Sequence, residues 1–213
     1  MDVDEAQTRM QEIQRIMERA TLFTLLPGTP AVVGGLLVLA GCAVSYAMIR
    51  SLDFADIFRP DVPFGRQGAF CVMWFAIGVL GVLIEVIITT RAAAKQQLVP
   101  RDRPMRVAAF SLTPSVIVAM VLTIKFLIPT QPRAEEIQYI VPIWMMLYGT
   151  GVYTAGLFSI QPPRLLGLAF LALGVVALLW FPQYGVVSAA LSFGLLHIVF
   201  GIYIVRKQRQ TVV

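Results

Sequence analysis

Histidine, cysteine and charged residues are scarce in this chain of 213 residues. It contains one histidine, two cysteines and only 14% charged residues. A single histidine leaves no second one for a metal-binding pair, and the serines show no nucleophile-elbow pattern with a base nearby. No haem, quinone or nucleotide motif stands out either. The sequence therefore predicts no catalytic residue, no metal and no cofactor.

Long connections are also missing, which leaves no room for a soluble catalytic domain. The longest are residues 51–66, SLDFADIFRPDVPFGR, and residues 91–106, RAAAKQQLVPRDRPMR. Arginines stand among the aspartates of the first segment without metal-ligand spacing, so we expect a solvated loop there. Cys42 and Cys71 fall at depths that differ by roughly 10 Å, since a helix rises about 1.5 Å per residue. This difference disfavours a disulfide.

What the chain has in abundance is apolar sequence, with 58% hydrophobic residues and a mean hydropathy of +0.78. Crossing a hydrocarbon core takes about 20 helical residues, and six runs approach or exceed that length. They are too uniformly apolar for barrel strands, and unpaired backbone groups are costly in lipid. The predicted fold class is all-α, a polytopic membrane bundle of six transmembrane helices. The predicted spans are Ala31–Ile49, Gly68–Thr90, Val107–Ile128, Tyr139–Ile160, Leu165–Phe181 and Val186–Val205.

The distribution of basic residues predicts the topology, because cytoplasmic flanks collect positive charge. Four arginines flank the spans on one side, namely Arg50, Arg59, Arg66 and Arg133. Most of the 17 basic residues fall on the other side, which we expect to be cytoplasmic and to hold both termini. The net charge of +5 is then a topology signal and an attraction to anionic lipid, and it requires no nucleic-acid partner. The residues of the basic side are Arg9, Arg15, Arg19, Arg91, Lys95, Arg101, Arg103, Arg106, Arg164, Arg206, Lys207 and Arg209.

Residues 1–22 are predicted to form a cytoplasmic amphipathic helix, followed by the transmembrane domain over residues 23–213. The first twenty residues are charged throughout, which argues against a cleavable signal peptide. Apolar residues recur there at helical spacing. Such a helix suits three positions: on the inner leaflet, beneath the bundle, or against a partner protein. The apolar positions are Ala6, Met10, Ile13, Met17 and Ala20.

Three ionisable residues lie inside the predicted spans, where charge is costly and each such residue is a functional candidate. They are Glu85, Lys125 and His197. Lys125 lies near the end of its helix, and its long stem can carry the ammonium to the interface. We therefore group Lys125 with four arginines expected at the lipid interface, which are Arg91, Arg106, Arg164 and Arg206.

Glu85 and His197 each lie on a stripe of small residues, which in membranes marks a close approach of helices. The sequence thus predicts that both point into the bundle and meet Tyr148 or Tyr153 of the fourth helix in a buried polar cluster. The cluster has two interpretations: it locks three helices together, or it relays protons. The predicted helix-packing positions are Gly78 and Gly81 beside Glu85, Ala190, Gly194 and Gly201 beside His197, and Gly151 and Ala155 on the fourth helix.

The C-terminal half shows a resemblance that covers roughly residues 139–209. The succession IWMMLYGTGVYTAG, FSIQPPRLLGLAFLALGVVAL and LSFGLLHIVFGIYIVRK resembles a group of bacterial six-helix integral membrane proteins without an assigned activity. The shared features are a Trp-to-Tyr-Gly helix, a Ser-x-x-x-x-Arg turn and a Phe-Gly-x-x-His-x-x-x-Gly helix. The resemblance implies the six-helix fold and a multi-pass location in the bacterial inner membrane. The matching positions are Trp144, Tyr148, Gly149, Ser159, Arg164, Gly167, Phe193, Gly194, His197 and Gly201.

Two functions compete on this sequence. The first is a non-catalytic sensor, regulatory or structural subunit that acts through a protein partner or as a homo-oligomer in the bilayer. The alternative is a small transporter or channel for protons, ions or a small solute, using the cluster of Glu85, His197 and a tyrosine. An intramembrane enzyme would need a nucleophile or cofactor that the sequence does not offer.

Overall fold

The computed structural model describes residues 5, 7–10, 13, 28–95, 103–127, 134–157 and 161–211. Within these ranges the chain is all-helical and contains six helices long and apolar enough to cross a membrane, which confirms the predicted membrane class. Two short elements accompany them, a 3₁₀ helix at Phe54–Phe58 and a helical turn at Ala134–Ile137. The first five long helices are α1 (Gly28–Ile49), α2 (Phe64–Lys95), α3 (Arg103–Leu127), α4 (Ile140–Leu157) and α5 (Gln161–Trp180).

The sixth helix, α6, covers residues 185–211 and changes its winding along the way. It is α-helical over Gly185–Ala189, π-helical over Ala190–Leu196 and α-helical again over His197–Thr211. A π segment is rare and often lies at a functional position, because it redirects the side chains that follow it. Here it immediately precedes His197.

Most helix ends fall within a few residues of the predicted boundaries, and the helix whose length differs most from the prediction is α2. It has 32 residues where Gly68–Thr90 was predicted. Its continuation as far as Lys95 passes through three alanines, which are strong helix formers beyond the apolar run. The fifth helix, predicted as the shortest, has 20 residues and is therefore about 30 Å long, enough to span the hydrocarbon core.

Helices α1 and α6 cross at two pairs of glycines. A Cβ atom at Gly28 would collide with the carbonyl oxygen of Gly201, and one at Gly35 would lie 2.6 Å from that of Gly194. The helices are thus antiparallel and close enough that only glycine fits at these points. The start of α1 and the last turns of α6 therefore lie at the same end of the bundle. Which compartment this end faces stays a prediction.

Helices α4 and α5 form a hairpin that is packed in the same way. A Cβ at Gly149 would lie 2.9 Å from the carbonyl oxygen of Gly167, and one at Gly174 would meet Met146. Arg164 closes the hairpin: its Nε donates to the carbonyl of Gly156 at 2.6 Å and its guanidinium to that of Leu157 at 3.0 Å. Because these carbonyls end α4, Arg164 caps the helix, and its place at the lipid interface stays a prediction.

The segment between α1 and α2 corrects the prediction of a solvated loop. Its 3₁₀ helix buries Phe54, Ala55 and Ile57, and the ring of Phe54 packs edge-on against Phe70 and Trp74 of α2. The prediction failed because it weighed the aspartates of this segment and not its apolar residues. The segment fills the end of the bundle between α1, α2 and α6.

Three of the other residues predicted at the lipid interface are exposed. Lys125 stands exposed in the last turn of α3, and Arg91 and Arg206 are exposed on α2 and α6. The side chain of Arg106 lies outside the described residues. Both cysteines are free thiols.

Of the predicted N-terminal helix, residues 5, 7–10 and 13 are described, and all are helical. Arg9 pairs with Glu5 at 2.7 Å, and the side chains of Met10 and Ile13 are exposed. The rest of residues 1–27 lies outside the described part of the chain.

Candidate functional site

His197 lies inside the bundle, where the π segment of α6 faces α4 and α5. Its Nε2 is 2.8 Å from the hydroxyl of Tyr148 on α4, and its Nδ1 is 3.4 Å from the carbonyl oxygen of Ser192. A ring that carries its proton on Nδ1 satisfies both contacts: Nδ1–H donates to the carbonyl, and Nε2 accepts from the Tyr148 hydroxyl. The second contact is long, so the Tyr148 hydrogen bond is the stronger of the two.

Aromatic rings surround this pair on the bundle side. The ring of Phe170 on α5 lies 4.9 Å from that of Tyr148 and 5.2 Å from the imidazole, measured between centroids. Phe193, one turn before His197, packs against Tyr148 at 5.4 Å and against Phe170 at 5.0 Å. Tilted and edge-on contacts at these distances stabilise aromatic groups, so Phe170 and Phe193 fix the Tyr148–His197 pair in place. We call these four residues the aromatic box.

The sequence assigned Tyr148 and His197 to the polar cluster, and it gave Phe193 only as a matching position of the resemblance. Phe193 lies four residues before His197, and this spacing places it on the same helix face. Phe170 had no such signal: it is one of several apolar residues of α5, and only the packing of α5 against α4 brings it here. It is fully buried.

Glu85 stands apart from the box, on a face of α2 that turns toward the bundle. Trp74, Gly78, Gly81 and Glu85 follow one another at intervals of four, three and four residues and so share one face of the helix. Trp74 contacts α1 through a hydrogen bond from its Nε1 to Ser45 Oγ at 3.0 Å. The face therefore points at the neighbouring helices at this level.

Farther along α2 this face separates from the neighbouring helices. A Cβ at Gly78 or Gly81 would meet no atom within 4 Å, which corrects the expectation that these glycines lie at a helix crossing. Glu85 is exposed, where burial inside the bundle was expected, and accepts one long hydrogen bond, 3.3 Å, from Thr89 of its own helix. The physical reason is that α2 is held at its other half, by the Trp74 hydrogen bond and the aromatic contacts of Phe54. We call the open space along Gly78, Gly81 and Glu85 the α2 cleft.

The carboxylate of Glu85 is near enough to Tyr148 for an electrostatic interaction, and both Tyr148 and His197 keep part of their surface accessible. No hydrogen bond joins Glu85 to either ring among the described residues. The structure thus brings the predicted residues to one region, with Tyr148 and His197 bonded and Glu85 across the gap from them.

The other predicted residues of the region take separate positions. Gly151 lies at a crossing with α3, since a Cβ there would be 3.0 Å from Leu112. Tyr153 contributes its backbone to the contact with Gly167 of α5, and within the described residues its hydroxyl forms no hydrogen bond. Ala155 is half-buried on α4, and Ala190 packs near the 3₁₀ segment.

The chemistry available here is hydrogen bonding and proton exchange. A carboxylate, a phenol and an imidazole can pass a proton along a chain of donors and acceptors, or they can recognise a polar group that enters the cleft. In the part of the chain that the structure describes, no three His, Cys, Asp or Glu side chains are grouped so that they could hold a metal.

The fold and this region define the class, a multi-pass α-helical membrane protein with a polar site at membrane depth. No family model matches the chain, and no curated protein or solved structure shows significant similarity to it.

Proposed function

We propose that the protein is a non-catalytic membrane subunit, regulatory, sensory or structural, which acts through a partner whose transmembrane helix docks in the α2 cleft. The observation that carries the proposal is the exposure of Glu85 beside two open glycines at membrane depth. Glycines without a neighbour allow another helix to approach closely, and close approach is the main source of helix association in lipid.

Glu85 sets the chemistry of this partner. An ionised side chain at membrane depth costs at least about 2.5 kcal/mol, so such residues pair with another polar group. Within the described residues, the one hydrogen bond that the Glu85 carboxylate accepts is the long one from Thr89. The partner helix should therefore carry a cationic or hydrogen-bond-donating side chain at the depth of Glu85.

Site-specific photo-crosslinking in native membranes tests this proposal. A photoreactive residue at Gly81 faces the cleft, whereas one at Leu83 lies on the opposite, exposed side of α2 and serves as the matched control. We expect a protein adduct from position 81, none from position 83, and a marked loss of the adduct when Glu85→Gln is combined with the Gly81 probe. The crosslinked peptide should be a transmembrane segment with a basic or amide side chain.

The result can also contradict the proposal. Lipid adducts alone at position 81, or equal protein adducts from both positions, would show that the cleft does not receive a particular helix. An adduct of twice the mass of the chain would replace the proposed occupant with a second copy of this protein.

A second candidate, a small transporter or channel for protons, ions or a small solute, is favoured by the Tyr148–His197 hydrogen bond and by the electrostatic interaction of Tyr148 with Glu85. Purified protein in liposomes should then conduct protons or solute, and Glu85→Gln, Tyr148→Phe and His197→Ala should each reduce the flux at least tenfold. Glu135→Gln, in the exposed helical turn Ala134–Ile137 that precedes α4, is the control. Flux that is absent in the wild type, or unchanged in all three variants, contradicts this candidate.

A further inference from the structure

A second polar cavity lies at the other end of the bundle, opposite the last turns of α6. It is open, has a volume of about 440 Å³, and is formed by the end of α1, the start of α2 and the 3₁₀ segment between them. Its walls carry three arginines and two aspartates: Arg50, Arg59, Arg66, Asp56 and Asp61. The volume falls in the range of small-molecule sites, which is about 300 to 1,000 Å³.

The charges of this cavity are only partly paired with one another. Arg59 forms an ion pair with Asp56, with 3.0 Å between the guanidinium and the carboxylate. Within the described residues, the side chains of Arg50 and Arg66 form no hydrogen bond or ion pair. Asp61 is the one remaining carboxylate of the lining and balances one of these two guanidinium groups. The cavity therefore has an excess of one positive charge.

Both unpaired arginines occupy positions that local preference gives to other residues. Arg50 follows the end of α1 with a φ of 56°, in the left-handed region where glycine is the favoured residue. Arg66 lies in the first turn of α2, where the helix dipole favours acidic residues, and this turn contains none. Local energetics therefore explain neither arginine, and residues that break local rules concentrate at functional sites.

We propose that this cavity binds a phosphodiester group through Arg50 and Arg66. A guanidinium presents two parallel N–H donors that match the oxygens of a phosphate. A phosphodiester carries one negative charge and so balances the excess positive charge, whereas the second charge of a phosphate monoester would be repelled by Asp61. The cavity lies where α1 ends and α2 begins, and two spans therefore meet the membrane surface there. The phosphodiester consequently comes either from a membrane lipid headgroup or from a soluble glycerophosphodiester.

Binding measurements on protein purified in a maltoside detergent, which contains no phosphate, test the proposal and separate the two sources. The probes are glycerophosphoglycerol, a soluble diester, and diheptanoyl phosphatidylglycerol, the same headgroup with acyl chains. We expect calorimetric titration to detect binding of at least the acylated probe. Equal affinity for both probes identifies a soluble ligand, and a preference for the acylated one identifies a lipid.

Arg50→Gly separates binding from folding. Glycine adopts the left-handed conformation without strain, so this variant should melt at the same or a higher temperature than the wild type and yet bind the probes at least tenfold more weakly. Arg66→Gln should weaken binding by a similar factor, and Asp61→Asn should strengthen it severalfold. Arg91→Gln, an exposed arginine at the far end of α2, is the control and should leave binding unchanged.

Three results would overturn the proposal. The first is that neither probe binds the wild type. The second is that Arg50→Gly and Arg66→Gln bind as tightly as Arg91→Gln does. The third is that Arg50→Gly lowers the melting temperature, since Arg50 would then hold the turn rather than a ligand.

Discussion

Gly28 and Gly35 of α1 press against the backbone of α6, whereas Gly78 and Gly81 of α2 face open space. Both helices belong to one bundle, and both carry small residues at intervals that suit a helix crossing. The difference lies in what holds each helix: α1 meets glycines on α6 at two levels, while α2 is held in its first half by the Trp74 hydrogen bond and by aromatic contacts. A stripe of small residues permits two helices to pack closely, but a crossing forms only where a second helix has a complementary surface.

The largest expected effect is on the free energy of unfolding, when a glycine at the α1–α6 crossing is replaced by valine. The same replacement in the α2 cleft is the comparison. In Gly35→Val the new side chain would collide with the backbone of Gly194, where nothing flexible can give way. We expect a loss of about 3 kcal/mol or more in the free energy of unfolding, because overpacked sites cost about 1 to 3 kcal/mol and a backbone clash lies at the upper end. Gly78→Val should change it by less than about 0.5 kcal/mol.

Thermal and denaturant unfolding in one detergent measures both variants. Equal losses in the two variants would mean that the α2 cleft closes in solution, and the contrast between the regions would disappear.

The next effect compares the two ionisable residues. His197→Ala removes the hydrogen bond to Tyr148 and leaves a void among the aromatic rings, so we expect a loss of about 2 kcal/mol. Glu85→Gln removes charge from an open face and should alter the stability of the isolated protein by less than about 0.5 kcal/mol. Unfolding measurements on the two variants side by side decide this. A larger loss in Glu85→Gln would place Glu85 in an interior network.

A smaller loss of stability should follow when the hydrogen bond that holds α2 to α1 is removed. Ser45→Ala removes the acceptor for Trp74 Nε1 and should cost about 1 kcal/mol, since polar contacts between membrane helices are worth about 0.6 to 2 kcal/mol. Hydrogen exchange should increase in α2 and stay unchanged in α4. Thr123→Val, which removes the acceptor for Trp144 Nε1 between α3 and α4, is the matched control and should loosen α3 instead. Exchange that rises throughout the protein after Ser45→Ala would contradict a local role.

The smallest effect concerns pH and the segment that joins α1 to α2. Burial raises the pKa of Asp53 above its ordinary value, against the opposing hydrogen bond from the backbone N–H of Ala55. The folded protein therefore holds the Asp53 proton more tightly than the unfolded chain does. This contribution to stability is complete below about pH 4, the ordinary carboxyl value, and is lost as the pH rises through the higher folded-state pKa.

Asp53→Asn should remove this pH dependence and keep the cap, because asparagine caps helices as well as aspartate does. Melting temperatures of the two proteins between pH 4 and 7 provide the test. Parallel curves would show that Asp53 does not contribute to the slope.

Several features could be read from residues close together in sequence. The six spans follow from apolar runs, and the neighbours of His197 on the same face of its own helix follow from helical spacing. The solvated loop was wrong because Phe54 and Ile57 reach the core through a 3₁₀ turn that the composition of the segment did not indicate. The sequence did not predict that Arg164 caps α4, because this role depends on the hairpin that brings Arg164 back to Gly156.

The sequence by itself determined the number of helices, their approximate ends and the membrane class, because in lipid each helix satisfies its own backbone groups locally. The tertiary structure decided which glycine stripe found a partner and which stayed open. It also decided that Phe170 joins Tyr148 and His197, and that Glu85 faces them across a gap. These outcomes depend on the fit of side chains between helices far apart in the chain, and no local spacing encodes that fit.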